Sequence, residues 1–478
     1  MNNKKSKGIV FFAVILVSCL TAFWGLTSRA IGNHEAYVGV TARNMLASGN
    51  WVLPVFNGEP RLNKTPLSYW LVAAAGKAAG GVNDFALRLP NAVLAVLSAI
   101  AIFYFVSDWL GFRIGALSAL VWATTLCFFR YSHTGRPEMT LTCFVTIAML
   151  SFYSAITAKD KKKQIYYMLV FWLSFSLGML AKGPAPLLLI FPALFFYFAI
   201  FRKWKLVPKL LPVAGVILFL VIFLPWPITV LIKHPQAVEI WKNEFLGRAA
   251  GEYGSGSEPF YFYFWVMFAF FVPYCAFIPL AIAMPFYRIW EEKHDEIFYL
   301  CLWFVVGIAA MTLCGGKRQH YILPIMPAMA ALTGIILDDM IFGHRAYTKN
   351  FSRNFLLTYL FVLAGLCVII FVRPNILGKG EDDGNYTIRD FAQEATSAAE
   401  AKEVVGYCKI DASFIYYLNR NVPVLSDIDK IYSNYPAGCW IAASDKNFEE
   451  LKKDKRFSLV WTGIDKKRGF FEKNQVKE

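Results

Sequence analysis

Apolar residues in this chain gather into long blocks separated by short polar stretches, with neither the period-two alternation of strands nor the single stripe of a surface helix. The first block, "GIVFFAVILVSCLTAFWGL", follows Lys4, Lys5 and Lys7. Others lie near 87–108, 113–129, 137–158, 165–181, 184–201, 209–232, 260–287, 296–314, 320–340 and 354–373. Most have roughly the 17 to 25 residues that a helix needs to cross ~30 Å of hydrocarbon, so the pattern predicts an all-α polytopic membrane protein with about 11 transmembrane helices. The first block has the charged start of a signal peptide, but its apolar run is long and no small-x-small cleavage site follows. It therefore reads as a retained helix with the N-terminus inside.

From about residue 375 the pattern changes: "GKGEDDGNY" reads as a linker. After it, short apolar runs ("EVVGYCKI", "VPVL", "CWIAAS", "FSLVWTGI") are separated by helix-like stretches such as "NFEELKKDKR". That alternation predicts a small α/β domain. The expected organisation is a transmembrane domain over 1–373, with an exported first loop at 30–86, and a C-terminal domain over 374–478. Neither a nucleotide-binding glycine fingerprint nor an internal repeat is present.

Composition agrees, with 57% hydrophobic and only 17% charged residues. The net charge of +15 would suit nucleic acid, but the basic residues cluster in short loops between apolar blocks, where they set membrane orientation instead. Counting from an inside N-terminus places "KDKKK", "FRKWKLVPK", "YRIWEEKHDE" and "GHRAYTKNFSRN" on the cytoplasmic side, as the positive-inside rule requires. The same count exports 30–86, "FRYSHTGRPE", the 233–259 loop, "GGKRQHY" and everything after Arg373. Most cysteines fall in apolar spans without metal-site spacing; Cys408 and Cys439 lie in polar sequence, where an exported domain leaves a disulfide open.

Several polar residues then share the exported face, each with a plain and a functional reading. In "GNHEAYVGVTARNML", Asn33 is expected as an N-cap, which puts His34 and Glu35 in the first turn of a helix. Glu35 projects to the side of Val38, Ala42, Met45 and Leu46; it either stabilises the helix start or does chemistry. Lys64 precedes Pro66, which can open a helix, and Tyr69 and Trp70, which suit the membrane interface. Its ammonium either binds a lipid phosphate or snorkels. "RYSHTGRPEMT" brings Arg130, His133, Arg136 and Glu138 to the start of an apolar span, where a carboxylate needs a partner or a function, and Arg136 is close enough to be that partner. Lys182 in "AKGPAP", with Lys317 and Arg318 in "GGKRQHYILPIMP", runs against the sign bias of exported ends. An anionic ligand explains them most simply, and a helix-end flank is the plain alternative. His34, His133, His234 and His320 form no H-x-x-x-H or H-E-x-x-H pair, so a built-in metal has little support. A divalent cation shared by Glu35 and Glu138 stays open as a cofactor.

Taken in order, "HEAYVGVTARNMLASGNWVLPVFNGEPRLNKTPLSYWLVAAAGK", "FALRLPNAVLAVLSA", "RPEMTLTCFVTIAMLSFY", "AKGPAPLLL" and "KRQHYILPIMPAMAAL" resemble the motifs of the polyprenyl-phosphate-sugar glycosyltransferases. That family includes protein O-mannosyltransferases and the bacterial aminoarabinose transferase of lipid A. The resemblance spans about residues 30 to 340 and implies the type C membrane glycosyltransferase fold, with its site in an exported cavity. It places Glu35 at the second acid of an Asp-Glu pair and His34 where the aspartate usually stands. It makes Glu138 the second exported acid, gives Lys64, Lys317, Arg318 and Tyr321 to the donor phosphate, and leaves Arg136 and Lys182 as additional candidates. Asn63 stands where the lipid A branch has a glutamate, and "GEYGSGSEPFYFY" lacks that branch's histidine, so neither its metal site nor its sugar is carried over.

The resemblance implies inverting transfer of a sugar from an undecaprenyl-phosphate-linked donor to a lipid A, glycan or protein acceptor. The reaction is expected on the periplasmic face of the bacterial inner membrane, with membrane lipids and no nucleic acid as partners. The base is Glu35, or His34 oriented by Glu35; a histidine of ordinary pKa loses its basic form in acid, which favours Glu35. The alternatives are a flippase of lipid-linked saccharides and an O-antigen-ligase-like transferase using a diphosphate carrier.

Overall fold

The computed structural model describes residues 4–251, 258–343, 349–372, 388–399, 402–436, 438–463 and 468–474. The "GKGEDDGNY" linker, the centre of "GEYGSGSEPFYFY" and part of "GHRAYTKNFSRN" lie outside them. Among the described residues, six helices are long and apolar enough to cross a membrane: Lys5–Phe23, Asp84–Leu110, Pro137–Thr157, Lys161–Lys182, Trp290–Leu313 and Gln319–Gly343. Two bent pairs, Phe112–Ala123 with Leu126–Ser132 and Trp204–Leu210 with Pro212–Phe223, break by 59° and 44°. Three shorter apolar helices, Ala185–Ile200, Cys275–Phe286 and Ser352–Leu366, complete the set. Each apolar block of the sequence meets one of these elements.

The breaks have local causes. Thr124 ends one helix and Thr125 caps the next, the Thr125 hydroxyl accepting from the Phe128 N–H at 3.3 Å. Pro212 opens its helix after Leu211, whose φ of 47° no regular helix tolerates. Likewise Pro137 occupies the first turn of its helix, and Asp160 caps Lys161–Lys182 through the Lys163 N–H at 3.1 Å.

The chain forms two compact units. The first comprises Met1–Leu26, Leu62–Ser68 and Arg88–Pro374. In Pro137–Thr157 and Gln319–Gly343, 89% of the most apolar stretch of residues is buried within the protein, against 17% in Lys5–Phe23, which turns Phe12, Leu16 and Leu20 outward. The innermost helices thus stand away from lipid, and their hydroxyls are satisfied internally: Thr142 and Thr146 donate to the carbonyls of Glu138 and Thr142 at 2.8 and 2.7 Å.

The second unit comprises Thr27–Arg61, Tyr69–Leu87 and Asn375–Glu478. Its loop part holds the helix Asn33–Ser48 and a hairpin of β1 (Val55–Phe56) and β2 (Glu59–Pro60), turned by Asn57 and Gly58 at φ 53° and 88°. The tail part is a five-stranded sheet of β3 (Val404–Tyr407), β4 (Val424–Leu425), β5 (Trp440–Ser444), β6 (Phe457–Thr462) and β7 (Arg468–Lys473). The strand order is β4-β3-β5-β7-β6, parallel across the first three and antiparallel at β7 and β6. Cys408 and Cys439 are both free thiols.

Loop and tail share one core. A Cβ at Gly39 would stand 2.5 Å from the Tyr416 ring, so only glycine lets the helix Ala412–Tyr417 lie this close. Arg43 donates to the Tyr416 carbonyl at 3.0 Å and to Asn419 at 2.8 Å, and Asn57 exchanges two hydrogen bonds with the Val422 backbone at 2.6 and 2.7 Å. Arg389 pairs with Asp84 at 2.6 Å, and Tyr417, which donates to the same carboxylate, has its hydroxyl pushed up to about 12 by burial and by that charge. Asn33 does not cap its helix. Gly32 holds the N-cap position, while the Asn33 amide donates to Asp411 at 3.1 Å and its oxygen accepts from the Ser413 N–H at 3.1 Å. A tertiary contact has taken the side chain that local propensity assigns to the cap.

Candidate active site

In the first unit a carboxylate gathers donors from three elements. Glu138 follows Pro137 in the first turn of its inner helix and is 4% exposed. Its Oε1 accepts from Arg136 at 3.2 Å and from Lys182 at 3.2 Å, and lies 3.3 Å from His320 Nε2. Its Oε2 is buried without a hydrogen-bond partner. The ring of Tyr321 lies 5.3 Å from the Lys182 ammonium, a cation–π distance.

The backbone explains this convergence. Asn91 donates from one amide nitrogen to the carbonyls of Thr134 and Arg136, and its oxygen accepts from Thr140 at 2.9 Å. It thereby fixes the turn that delivers Arg136 and Glu138. Lys182 ends its helix because Gly183 adopts φ 59°, and a Cβ there would strike the Phe245 ring at 2.6 Å. His320 and Tyr321 lie in the tight turn Gln319–Ile325 that opens the other inner helix.

Lys64 sits in the same unit, on the segment 62–68. It pairs with Glu244, which is 6% exposed in the turn Asn243–Gly247. The Trp241 indole donates to the Leu62 carbonyl at 2.6 Å, tying the two segments again. Beside Lys64, Asn63 Oδ1, Thr65 Oγ1 and Ser68 Oγ are buried without hydrogen-bond partners. Arg318 is exposed at its side chain, while its backbone N–H and carbonyl both meet the Tyr263 hydroxyl at 3.3 Å; Lys317 is half-buried. The candidates Arg136, Glu138 and Lys182 therefore meet directly, with Tyr321 against Lys182, while Lys64, Lys317 and Arg318 belong to the same unit.

Glu35 and His34 lie in the second unit, in the first turn of Asn33–Ser48. Glu35 is 3% exposed and pairs with Arg29 at 2.8 Å. It shares its buried side with Val38, Ala42 and Met45, as the helical spacing indicates. Among the described residues, no group of three His, Cys, Asp or Glu side chains could hold a metal ion. His133 serves the backbone, its ring nitrogens 2.7 and 2.8 Å from the carbonyls of Phe129 and Trp24.

Four participants were not singled out by sequence reasoning: Arg29, Asn91, Glu244 and His320 as a Glu138 partner. Asn91 had a signal, since it follows directly on the "ALRLP" stretch of the motif. His320 stands 182 positions from Glu138, and no local pattern links residues so far apart.

Residues 63–228 match the family model of dolichyl-phosphate-mannose-protein mannosyltransferases. An uncharacterised protein of Aquifex aeolicus is 30% identical over 369 residues, covering 76% of this chain and 70% of that relative. An undecaprenyl phosphate-α-4-amino-4-deoxy-L-arabinose arabinosyl transferase of Pseudomonas fluorescens is 27% identical over 362 residues; the match covers 72% of this chain and 63% of that relative's length. Among solved structures, ArnT from Cupriavidus metallidurans bound to undecaprenyl phosphate superposes with a TM-score of 0.80 at 18% identity, covering 99% of both chains. The Archaeoglobus fulgidus oligosaccharyltransferase reaches 0.62 at 13% identity, covering 92% of this chain and 69% of that one. The chain belongs to the polyprenyl-phosphate-sugar-dependent membrane glycosyltransferases, with their type C fold and multi-pass membrane architecture.

Proposed function

We propose that the protein transfers a sugar, with inversion, from an undecaprenyl-phosphate-linked donor to a lipid A, glycan or protein acceptor on the periplasmic face of the inner membrane. The observation that carries the reading is the convergence of Arg136, Lys182 and His320 on Glu138, in the unit that also holds Lys64, Lys317 and Arg318. The named ligand of the Cupriavidus protein, undecaprenyl phosphate, supplies the carrier, and the name of the Pseudomonas relative supplies the reaction class.

In this reading the acceptor oxygen attacks the anomeric carbon from the face opposite the carrier. The bond between that carbon and the phosphate oxygen breaks, and its electron pair leaves with undecaprenyl phosphate. One displacement inverts the centre. Lys64, Lys317 and Arg318, with Tyr321, hold the phosphate as its charge grows, which is where fixed positive groups lower the barrier most. Arg136 and Lys182 add positive potential and are themselves anchored by Glu138. The orphaned oxygens of Asn63, Thr65 and Ser68 beside Lys64 are groups that a hydroxyl-rich ligand can satisfy. Glu35 takes the acceptor proton, with His34 beside it in the chain.

A divalent cation at Glu138 Oε2 would add to a carboxylate whose charge Arg136 and Lys182 already compensate through Oε1. EDTA treatment of purified protein is accordingly expected to leave transfer within about threefold of the untreated rate, because lysine and arginine provide the charge that a metal would bring. A complete loss that Mg²⁺ or Mn²⁺ restores assigns the reaction a cation.

The decisive assay uses purified protein with monophosphate- and diphosphate-linked sugar donors and reads released carrier and glycosylated product. Product from the monophosphate donor alone supports this function. Product from the diphosphate donor alone points to the ligase-like reaction, and donor movement across vesicles without product points to a flippase.

A further inference from the structure

We infer that His320 is a positioning residue, held neutral with its proton on Nε2, which locks Arg136 and Glu138 into one arrangement. Its Nδ1 lies 3.4 Å from Arg136 NH2, and its Nε2 lies 3.3 Å from Glu138 Oε1. A guanidinium has only N–H groups to offer, so Nδ1 must present its lone pair. The ring proton then sits on Nε2 and is donated to the carboxylate, which can only accept. With Arg136 also donating to Glu138 at 3.2 Å, the three side chains close a ring of hydrogen bonds.

The surroundings favour the same protonation state. Arg136 and Lys182 already place two positive charges on one buried carboxylate, and Arg318 adds to the potential at the ring. A neutral imidazole reaches Glu138 without bringing a third. Protonation of Nδ1 would set an N–H against the guanidinium and open the ring. The edge of Tyr321, with ring centroids 4.9 Å apart, packs against His320 and limits its rotation. His320 enters from the turn Gln319–Ile325 that opens the other inner helix, so it ties that helix to the start of Pro137–Thr157 at Arg136 and Glu138.

The protonation state is tested on the full chain in detergent by nitrogen-15 NMR of labelled histidine, with the His320 signal assigned by its loss in His320→Gln. A neutral ring protonated on Nε2 at pH 7.5 is expected; an imidazolium or a ring protonated on Nδ1 overturns the inference. Its consequence rests on the proposed function and is read as binding of undecaprenyl phosphate. His320→Ala is expected to weaken binding about tenfold, the cost of lost hydrogen bonds to charged groups. His320→Gln is expected to recover most of that loss, because its amide offers an N–H and a carbonyl at nearly the same separation as the two ring nitrogens. Unchanged binding in His320→Ala, or glutamine no better than alanine, overturns the positioning role. If the wild-type chain binds no undecaprenyl phosphate, the functional reading fails instead, while the NMR result still decides the state of His320; should His320→Gln not fold, His320→Asn supplies the assignment.

Discussion

Glu35 is buried and paired with Arg29 at 2.8 Å, which suits a structural ion pair as well as a positioned general base. The two roles separate by substitution. Glu35→Gln keeps shape and hydrogen bonding while removing basicity, so transfer is expected to fall by about 100-fold or more with undecaprenyl phosphate affinity nearly unchanged. Near-normal turnover in that variant removes Glu35 from the chemistry. His34→Ala is expected to cost less, and the reverse ranking assigns the base to His34. Arg318, exposed at its side chain and fixed at its backbone by Tyr263, is free to grip phosphate. Arg318→Ala is expected to weaken carrier binding about tenfold, with only partial recovery in Arg318→Lys, because the ammonium cannot reproduce a two-pronged contact. Equal affinity in the alanine variant makes Arg318 a helix-end flank. At Glu138 the expected effect reaches stability: Glu138→Gln leaves Arg136 and Lys182 uncompensated, a loss on the order of 3 kcal/mol visible as a lower unfolding temperature in detergent.

Secondary elements were legible wherever hydrophobic blocks are long, because lipid and protein interior select the same apolar residues over a length fixed by the bilayer. Breaks inside blocks were not, since Thr125 and the unusual backbone of Leu211 act through single residues without interrupting hydropathy. The sequence motifs singled out Glu35, Lys64, Glu138, Lys182, Lys317, Arg318 and Tyr321 as candidates. They could not report that Lys64 pairs with Glu244, nor that His320 completes the Glu138 cluster, because those contacts join segments distant in the chain. Asn33 shows the opposite case, a sound local signal overruled by Asp411 and Ser413. The contact behind that override centres on Gly39 under the Tyr416 ring, which makes the loop helix and the tail helix Ala412–Tyr417 one packed pair. Gly39→Leu forces them apart and is expected to cost about 1–3 kcal/mol of local stability, seen as faster proteolysis of the tail. A tail as resistant as in the parent chain shows that Tyr416 can move aside cheaply.

For the whole molecule, donor chemistry on the periplasmic face needs the loop and tail unit exported. The charge distribution gives the physical argument: "KDKKK" at 159–163 is exposed and strongly basic, and moving such a loop across the membrane opposes the positive-inside bias. The tail, by contrast, is a folded sheet whose edge strand β6 exposes Ser458. Two added cysteines read the orientation directly, as increments over the parent chain's own thiols. With a membrane-impermeant maleimide on spheroplasts, Ser458→Cys is expected to label without lysis and Lys162→Cys only after it. The reversed pattern puts the tail in the cytoplasm. Because Glu35 belongs to the same unit as the tail, that result would also remove the proposed base from the periplasmic face and with it the assigned direction of transfer.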